Sequence, residues 1–224
     1  MITTGFPYSS GRKTEVFNLA GQDICLNLED FPIDLWGAVG AHINGTPIVC
    51  GGYDGSNYLD KCYHFINGNW ALTTTMRERR YLATSIVYNN RMHIMGGYDG
   101  GVELASTEIL DGNGSEEGPD LPIAISGHAI TKVNQSTSII SGGWTSAASY
   151  SDRTWYYNHE TQSFVEGPQL IHPRILHGSA TIMDTITNAL LPIVAGGYDG
   201  SRMDTTEILI DNQWQPGKIQ CPKK

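Results

Sequence analysis

The residues with the greatest chemical potential in this chain are its four cysteines, its seven histidines and its carboxylates. The histidines do not cluster in the sequence, and although His172 and His177 stand close together, no third metal ligand accompanies them. The cysteines show no C-x-x-C spacing, which argues against a zinc site. No nucleophile-elbow, zinc-protease, P-loop or dinucleotide-binding pattern is present. The sequence therefore predicts no catalytic set, no bound metal and no cofactor.

Four aromatic residues stand out by their spacing, because each directly follows a pair of glycines. The aromatic residues are Tyr53, Tyr98, Trp144 and Tyr198. The glycine pairs are Gly51-Gly52, Gly96-Gly97, Gly142-Gly143 and Gly196-Gly197. The second glycines, at 52, 97, 143 and 197, lie 45, 46 and 54 residues apart. A period of this size is typical of propellers and solenoids. A degraded copy, Thr4-Gly5 followed by Phe6, opens the chain.

Further positions repeat in the same register. The strings "TEVF" at residues 14–17 and "TEIL" at residues 107–110 and 206–209 occupy one slot after the glycines, which "CYHF" and "TWYY" fill in the other copies. Trp70, Phe164 and Trp214 share a later position. Apolar alternation and turns rich in Asn, Asp and Gly predict four short strands in each repeat, and no sustained helical period is present.

Together, the glycine pairs, the later aromatic position and the period resemble the kelch repeat over nearly the whole chain. The resemblance implies an all-β fold: one β-propeller domain over residues 1–224 with about five four-stranded blades. Their expected limits are about 1–30, 31–76, 77–122, 123–170 and 171–224. The first repeat lacks its first strand, so ring closure is expected to be incomplete. Either the ring closes with a three-stranded blade, or the chain belongs to a longer protein; the second is favoured, because an open ring leaves strand edges unpaired.

The resemblance also assigns roles to the repeated residues. In kelch-like blades the glycine pair ends the second strand near the central channel, where only glycine allows the backbone dihedrals and the close packing of blades. The aspartates that follow, Asp54, Asp99 and Asp199, fit ordinary turn chemistry. His128 and His177 share one position, which is interpreted as architectural.

A ligand-binding face is the main functional expectation. In peptide-binding kelch proteins the aromatic position after the glycines, here Tyr53, Tyr98, Trp144 and Tyr198, faces one side of the ring. Arginines on the connections between blades, here Arg79, Arg80 and Arg174, hold acidic peptides there through forked hydrogen bonds. Arg79 and Arg174 are assigned to one column of the repeat. The alternatives are that the rings are wedges between blades and that the arginines pair with carboxylates inside a blade.

The cysteines suggest a disulfide. Cys50 ends one predicted strand and Cys62 begins the next antiparallel one, so that the two face each other if the hairpin has the same register as in the other blades. A disulfide there would place the chain in an oxidising compartment; the alternative is two buried free thiols. Cys25 and Cys221 are expected to be too far apart to bond. Three N-glycosylation motifs, at Asn44, Asn113 and Asn134, fall in predicted turns.

The composition of the chain argues against two classes of binding partner. The net charge of −9 disfavours sequence-independent binding to nucleic acid and docking on anionic membranes. No apolar run is long enough to cross a membrane, and no secretory signal is visible. We therefore predict a non-catalytic module that binds a protein or peptide, with an extracellular location slightly favoured over a cytoplasmic one.

Three alternative functions remain open at this level. The chain could be the substrate-recognition part of a ubiquitin-ligase adaptor whose BTB domain lies outside these residues. It could be a propeller enzyme of the carbohydrate or copper-oxidase kind, although the His and Tyr ligands of the galactose-oxidase type cannot be placed here. It could also be a secreted kelch scaffold. A convergence of titratable groups with perturbed pKa values would favour the enzyme.

Overall fold

The computed structural model describes residues 2–3, 12, 15–16, 28–111, 114–147, 149–184 and 187–217, and within these ranges every regular element is a strand. None of the described residues belongs to a helix long and apolar enough to cross a membrane. The chain divides into two units, residues 1–118 and residues 119–224.

The first unit contains two four-stranded antiparallel sheets and a short strand pair. The pair is β1 (Ile2–Thr3) with β2 (Glu15–Val16). The first sheet is β3 (Val39–Ile43), β4 (Thr46–Cys50), β5 (Lys61–Ile66) and β6 (Asn69–Thr75). The second sheet is β7 (Thr84–Tyr88), β8 (Arg91–Met95), β9 (Thr107–Leu110) and β10 (Ser115–Glu117). In both sheets the strands pair in chain order.

The second unit repeats this arrangement and adds a three-stranded ribbon. Its strands are, in order, β11 (Ile125–Ser126), β12 (Ala129–Lys132), β13 (Thr137–Ser141), β14 (Trp144–Thr145), β15 (Ser149–Tyr150), β16 (Thr154–Asn158), β17 (Ser163–Glu166), β18 (Gly178–Met183), β19 (Leu190–Ala195), β20 (Thr206–Ile210) and β21 (Gln213–Pro216). The third sheet has the order β12-β13-β16-β17 and the fourth β18-β19-β20-β21. In the ribbon, β11-β14-β15, strand β11 precedes the third sheet in the chain, and β14 and β15 lie between β13 and β16.

Two-residue turns with positive φ join several neighbouring strands. Asn67-Gly68 joins β5 to β6 with φ of 51° and 86°, and Asn89-Asn90 joins β7 to β8 with φ of 47° and 60°. Asn and Gly tolerate this left-handed conformation, and such turns match the twist of a hairpin. The turn residues that predicted strand ends therefore also fix the register of these hairpins.

Apolar side chains pack on both faces of the first sheet. One cluster joins Val39 and Ile48 of that sheet to Met92, Ile94 and Leu110 of the second, which buries the facing surfaces of the two sheets. On the other face, Phe31, Leu35, Tyr63 and Trp70 form a second cluster. In the second unit, Ile139 of the third sheet packs with Val194, Leu209 and Trp214 of the fourth. Burial of these apolar surfaces is the main force that holds neighbouring sheets together.

The prediction of an all-β chain of four-stranded antiparallel repeats is confirmed for the four sheets, each of which lies within one predicted repeat. Thr4, Gly5, Phe6 and Cys25 of the predicted first blade lie outside the described residues, as do Asn113 and Cys221. The ribbon β11-β14-β15 was not predicted, because a loop between a glycine pair and the next strand carries no long alternating pattern.

Candidate functional site

In both units the glycine pairs and the segments that connect one sheet to the next lie at the same end of the sheets, which we call the loop edge of that unit. Strands β3 and β4 are antiparallel, so the loop that follows β4 lies where β3 begins. Backbone hydrogen bonds join that loop to the connection between β6 and β7: the N–H of Arg80 donates to the carbonyl of Leu59 at 3.0 Å. The loop edge is therefore built by segments that are far apart in sequence.

The aromatic residue after each glycine pair forms backbone β-bridges to two other segments, one on each side. The three segments together form a very short three-stranded ribbon. Tyr98 exchanges both backbone hydrogen bonds with Tyr81, at 2.8 and 2.9 Å, and forms a second bridge to Glu103. Tyr198 does the same with Ile175, at 3.0 Å both ways, and bridges to Arg202. The equivalent sets are Trp36, Tyr53 and Tyr58 in the first sheet and Ser126, Trp144 and Tyr150 in the ribbon of the second unit. The backbone thus fixes where each ring begins.

In the first unit the rings touch one another. Trp36 and Tyr53 lie 5.4 Å apart between ring centroids, Tyr53 and Tyr58 4.8 Å, Tyr58 and Tyr81 5.7 Å, and Tyr58 and Tyr98 5.4 Å. All five side chains are half-buried. We call Trp36, Tyr53, Tyr58, Tyr81 and Tyr98 the first aromatic cluster. Burial, together with the neighbouring Tyr58 and Tyr53, raises the pKa of Tyr81.

The second unit has a smaller set, which we call the second aromatic cluster: Trp144, Tyr150 and Tyr198. Tyr150 lies 5.0 Å from Trp144 and 5.9 Å from Tyr198 between ring centroids. Tyr198 is 39% exposed. Both clusters join rings from neighbouring sheets, as expected if the rings pack as wedges between blades. The rings are also partly exposed, as expected if they form a ligand-binding face.

The sequence analysis placed Tyr53, Tyr98, Trp144 and Tyr198 at one predicted face, and the structure places each of them at the loop edge of its unit. It missed Trp36, Tyr58, Tyr81 and Tyr150, whose rings complete the clusters. A signal for two of them was available, since Trp36 and Tyr81 each precede the first strand of a sheet at the same distance. Without the ribbon pairing, however, nothing in the sequence brings that position against the aromatic after the glycines.

The structure corrects the prediction that Arg80 and Arg174 face a ligand. Their side chains are fully buried, with residue exposures of 1% and 0%. The alternative, an internal pair with a blade carboxylate, is what the structure shows. The repeat column also differs from the predicted one: Arg80, not Arg79, corresponds to Arg174, because each precedes a residue that bridges to the aromatic after a glycine pair.

Arg80 ties two glycine pairs together. Its Nε donates to Glu108 Oε1 at 2.8 Å, and its Nη1 donates to the carbonyls of Gly96 and Ser106, both at 2.9 Å. Its own carbonyl accepts the N–H of Gly52 from the preceding sheet at 2.7 Å. The guanidinium therefore anchors the glycine pair of its own sheet, while the backbone anchors that of the neighbour.

Arg174 makes the same connections in the second unit. Its Nη2 donates to Glu207 Oε1 at 2.6 Å, its Nη1 donates to the carbonyl of Gly196 at 2.8 Å, and its own carbonyl accepts the N–H of Gly143 at 2.8 Å. Glu207 in turn accepts the N–H groups of Ile171 and His172 at 2.7 and 3.1 Å. The ion pair is thus part of the frame that shapes the loop edge.

Arg79, the third arginine assigned to the ligand-binding face, is exposed. Its charge contributes to the lowered pKa of Asp99, after the larger effect of backbone hydrogen bonds from Val102 and Gly101 to that carboxylate. Asp54 has a lowered pKa for the same main reason, bonds from the N–H groups of Asn57 and Ser56, and Asp199 is held by Ser201. These aspartates close turns, which is the role the sequence predicted for them.

All eight glycines of the pairs have positive φ, between 59° and 107°. Several also lie against a neighbouring chain segment. A Cβ on Gly52 would lie 2.9 Å from the carbonyl oxygen of Trp36, and a Cβ on Gly97 3.0 Å from that of Tyr81. Conformation and space therefore both call for glycine at these positions.

Cys50 and Cys62 face each other in the register of β4 and β5, and their sulfur atoms lie at disulfide-bonding distance, 2.07 Å, with a Cα–Cα distance of 4.1 Å. Both residues are fully buried. The pair closes the loop that carries Tyr53 and Tyr58. It therefore fixes the two ends of the segment that supplies two rings of the first aromatic cluster.

The most strongly perturbed titratable groups are buried histidines rather than a catalytic constellation. Burial lowers the pKa of both His128 and His177 to about 3. His177 Nε2 lies 3.0 Å from the Ser141 hydroxyl, and neither nitrogen of His128 has a hydrogen-bond partner among the described residues. Within the part of the chain that the structure describes, no three His, Cys, Asp or Glu side chains are grouped so as to hold a metal ion.

Comparisons with known proteins support the fold and leave the activity open. No family model matches the chain. Over 143 residues it is 27% identical to the Spermatocyte protein spe-26 of Caenorhabditis elegans; the match covers 63% of this chain and 24% of that protein. The chain thus spans about a quarter of the length of this relative. Among solved structures it is similar to YjhT, with a TM-score of 0.74 and 12% identity, over 86% of this chain and 74% of that one. YjhT is a β-propeller-type protein, so the four sheets correspond to propeller-like blades.

Proposed function

We propose that this chain is a kelch-type propeller module that binds a protein or peptide, without catalysis, at its loop edges. The observation that supports this best is the pair of aromatic clusters. Their rings are half-buried or, for Tyr198, exposed, although the residue after each glycine pair is held by backbone pairing on both sides. Tyr and Trp dominate binding hot spots, because they offer large contact areas with few rotatable bonds.

The frame beneath the clusters favours binding. Both Arg–Glu pairs and the eight glycines of the glycine pairs, all with positive φ, lie at the loop edges, so the rings are positioned before any partner arrives. A preorganised surface loses less conformational entropy on association. An enzyme would need titratable groups that converge at one point, and the described ones with strongly lowered pKa values are buried histidines.

Replacement of the most exposed ring tests the proposal. We expect Tyr198→Ala, combined with Tyr98→Ala, to reduce partner capture from an extract of the native source by about tenfold, because hot-spot aromatics carry most of the binding energy. The matched control is Met183→Ala, which removes an exposed apolar side chain at the opposite end of the fourth sheet.

Capture should be scored by quantitative mass spectrometry, with the melting temperature of each variant measured alongside. Unchanged capture by the double tyrosine variant contradicts the proposal. A collapse of the melting temperature identifies the rings as structural wedges; Tyr198→Ala alone then repeats the test, since that ring has the least contact to lose.

We also propose that the module works in an oxidising compartment. The buried Cys50–Cys62 pair supports this, because a structural disulfide persists outside the reducing cytosol. Intact mass of the chain from its native source, measured with alkylation before and after reduction, should show these two thiols only after reduction. Alkylation of both without reduction contradicts the proposal.

A further inference from the structure

The loop edge of the first unit is acidic as well as aromatic. Its loops carry Asp34, Asp54, Asp60, Asp99 and Glu103, all exposed or half-buried. None of these five carboxylates takes part in an ion pair among the residues that the structure describes. A surface that combines unpaired carboxylates with aromatic rings has a definite preference in charge.

The cations of the same loops do not balance these carboxylates. Arg80 is buried and neutralised by Glu108, and Arg77 lies 3.7 Å from Glu117 of β10. Lys61 and Arg79 are the exposed cations that remain there among the described residues without an ion pair. The expectation of an acidic ligand rested on Arg79, Arg80 and Arg174, and the burial of the last two leaves only Arg79 to support it.

Two of the carboxylates are fixed in position and in charge. Asp99 Oδ1 accepts the N–H groups of Gly101 and Val102 at 2.7 and 2.9 Å, and Asp54 Oδ1 accepts those of Ser56 and Asn57 at 2.8 and 2.7 Å. Each therefore stays ionised and cannot swing away. The second oxygen of Asp54 accepts only a long hydrogen bond from Asn57 Nδ2, at 3.4 Å, which a charged donor can replace. Asp99 directly follows Tyr98, and Asp54 directly follows Tyr53.

We propose that the first aromatic cluster binds a peptide segment that carries arginine or lysine side chains; this rests on the proposed function and deepens it. Ring faces attract cations within a few ångströms, and the alkyl part of a long cationic side chain packs on the same rings. The guanidinium or ammonium group then reaches the carboxylate beside each ring. Aromatic and acidic residues thus select the same ligand chemistry.

The second unit supplies an internal contrast. Where the first unit has Glu103 beside Tyr98, the second has Arg202 beside Tyr198, and where the first has Tyr81, the second has Ile175. The second aromatic cluster therefore combines fewer rings with a cation, Arg202, in addition to the carboxylate of Asp199. The two edges are not equivalent, and the preference for a basic peptide belongs to the first.

The test is a selection from a random peptide library of about 12 residues displayed on phage, with the intact chain as target and a Tyr58→Ala variant for counter-selection. Tyr58→Ala removes a ring that contacts three others in the cluster and leaves the net charge unchanged. We expect the retained peptides to be enriched in Arg and Lys. By fluorescence anisotropy they should bind the intact chain about tenfold more tightly than the variant.

A second variant keeps the cluster intact. Glu103→Arg copies the residue that the fourth sheet uses at this position, so it should fold, and we expect it to weaken the selected peptides by about tenfold through charge alone. Arg202→Glu, the reverse exchange in the second unit, should leave their affinity unchanged.

The outcomes separate the two proposals. Neutral or acidic peptides that still distinguish the intact chain from Tyr58→Ala overturn the basic ligand and leave the binding function standing. Basic peptides that bind both chains equally show attraction to net charge only, and overturn the basic-ligand proposal. If no peptide distinguishes the two chains, and capture of the native partner is also unaffected by the tyrosine variants, both proposals fail.

Discussion

The four sheets solve one packing problem in two ways. The third strand of each sheet pairs with the strand that ends at the glycine pair, and one residue of this third strand is buried in all four sheets. In two sheets this residue is a glutamate that pairs with a buried arginine from the connecting segment. In the other two it is an aromatic residue, and an aliphatic residue takes the place of the arginine. The ionic sets are Arg80 with Glu108 and Arg174 with Glu207. The apolar sets are Leu35 with Tyr63 and Ile125 with Trp155. Each unit contains one set of each kind, so the backbone accepts either.

The difference shows what the arginines are for. A buried ion pair gains little over a well-packed apolar pair, because both charges lose their hydration. Arg80 and Arg174, however, also donate to the carbonyls of Gly96 and Gly196, which an aliphatic side chain cannot do. The ionic sets therefore position the glycine pairs, and with them the loop edge, rather than only filling the space.

The difference between the ionic and the apolar sets is tested most directly by removing one partner of an ionic set. We expect Glu207→Gln to lower the free energy of unfolding by about 3–5 kcal/mol, because it leaves the Arg174 charge buried without a counter-ion. Glu108→Gln should cost less, since Glu78 Oε2 also lies 2.9 Å from Arg80 Nη2. Urea unfolding of each variant measures both values.

The paired exchange Arg174→Leu with Glu207→Tyr copies the apolar set of the first sheet and serves as the control. It should be less destabilising than Glu207→Gln alone, because no charge is left buried. A double variant that is as unstable as the sum of its single changes would show that the two solutions are not interchangeable.

The arginines also show where reading the sequence reaches its limit. The repeat, the strand number and the glycine pairs were predictable, because they depend on local conformation and on period. Whether Arg174 points outward to a ligand or inward to Glu207 depends on a carboxylate that is 33 residues distant. The column error between Arg79 and Arg80 has another origin: Arg80-Tyr81-Leu82 and Arg174-Ile175-Leu176 align without a gap, so the sequence itself carried the correct column.

The aromatic clusters give the complementary lesson. Tyr53 and Tyr98 were found because a glycine pair marks them. Tyr58 was missed, although its ring contacts three others, because it is defined by ribbon pairing between loops. Cys50 and Cys62 were predictable as a pair, since a hairpin in known register brings its first and last residues opposite each other.

A second comparison separates the two reasons for glycine. Gly51 and Gly68 both have positive φ, 69° and 86°, but a Cβ on Gly51 would overlap the carbonyl oxygen of Arg80, whereas nothing lies within 4 Å of one on Gly68. Gly68→Ala should cost about 1–2 kcal/mol through conformation alone. Gly51→Ala should add about 1–3 kcal/mol for the overlap between sheets. Equal unfolding free energies for the two variants would mean that close packing contributes nothing at the glycine pairs.

The smallest expected effect concerns one residue position that packs against the second glycine of each pair and that differs between the two units. Ala38 and Ala83 occupy it in the first unit and lie against Gly52 and Gly97; His128 occupies it in the third sheet and lies against Gly143. Burial lowers the pKa of His128 in the folded chain to about 3, below its ordinary value of 6.5.

The unfolded chain therefore binds more protons than the folded chain between these two values, and the stability that neutral His128 contributes is present above about pH 6.5 and lost as the pH falls toward 3. Between about pH 7 and about pH 5 this loss amounts to about 2 kcal/mol for His128.

His128→Ala, which copies the first unit, should reduce the loss of unfolding free energy by that amount, measured in urea at both pH values. His177 is present in both proteins, and because the charge of His128 contributes to its lowered pKa, after burial and Arg174, the difference reports His128 together with this coupling. An equal pH dependence with and without His128 would show that its ring gains a proton without unfolding the sheet, so that the third sheet tolerates a charge where the first unit keeps a methyl group.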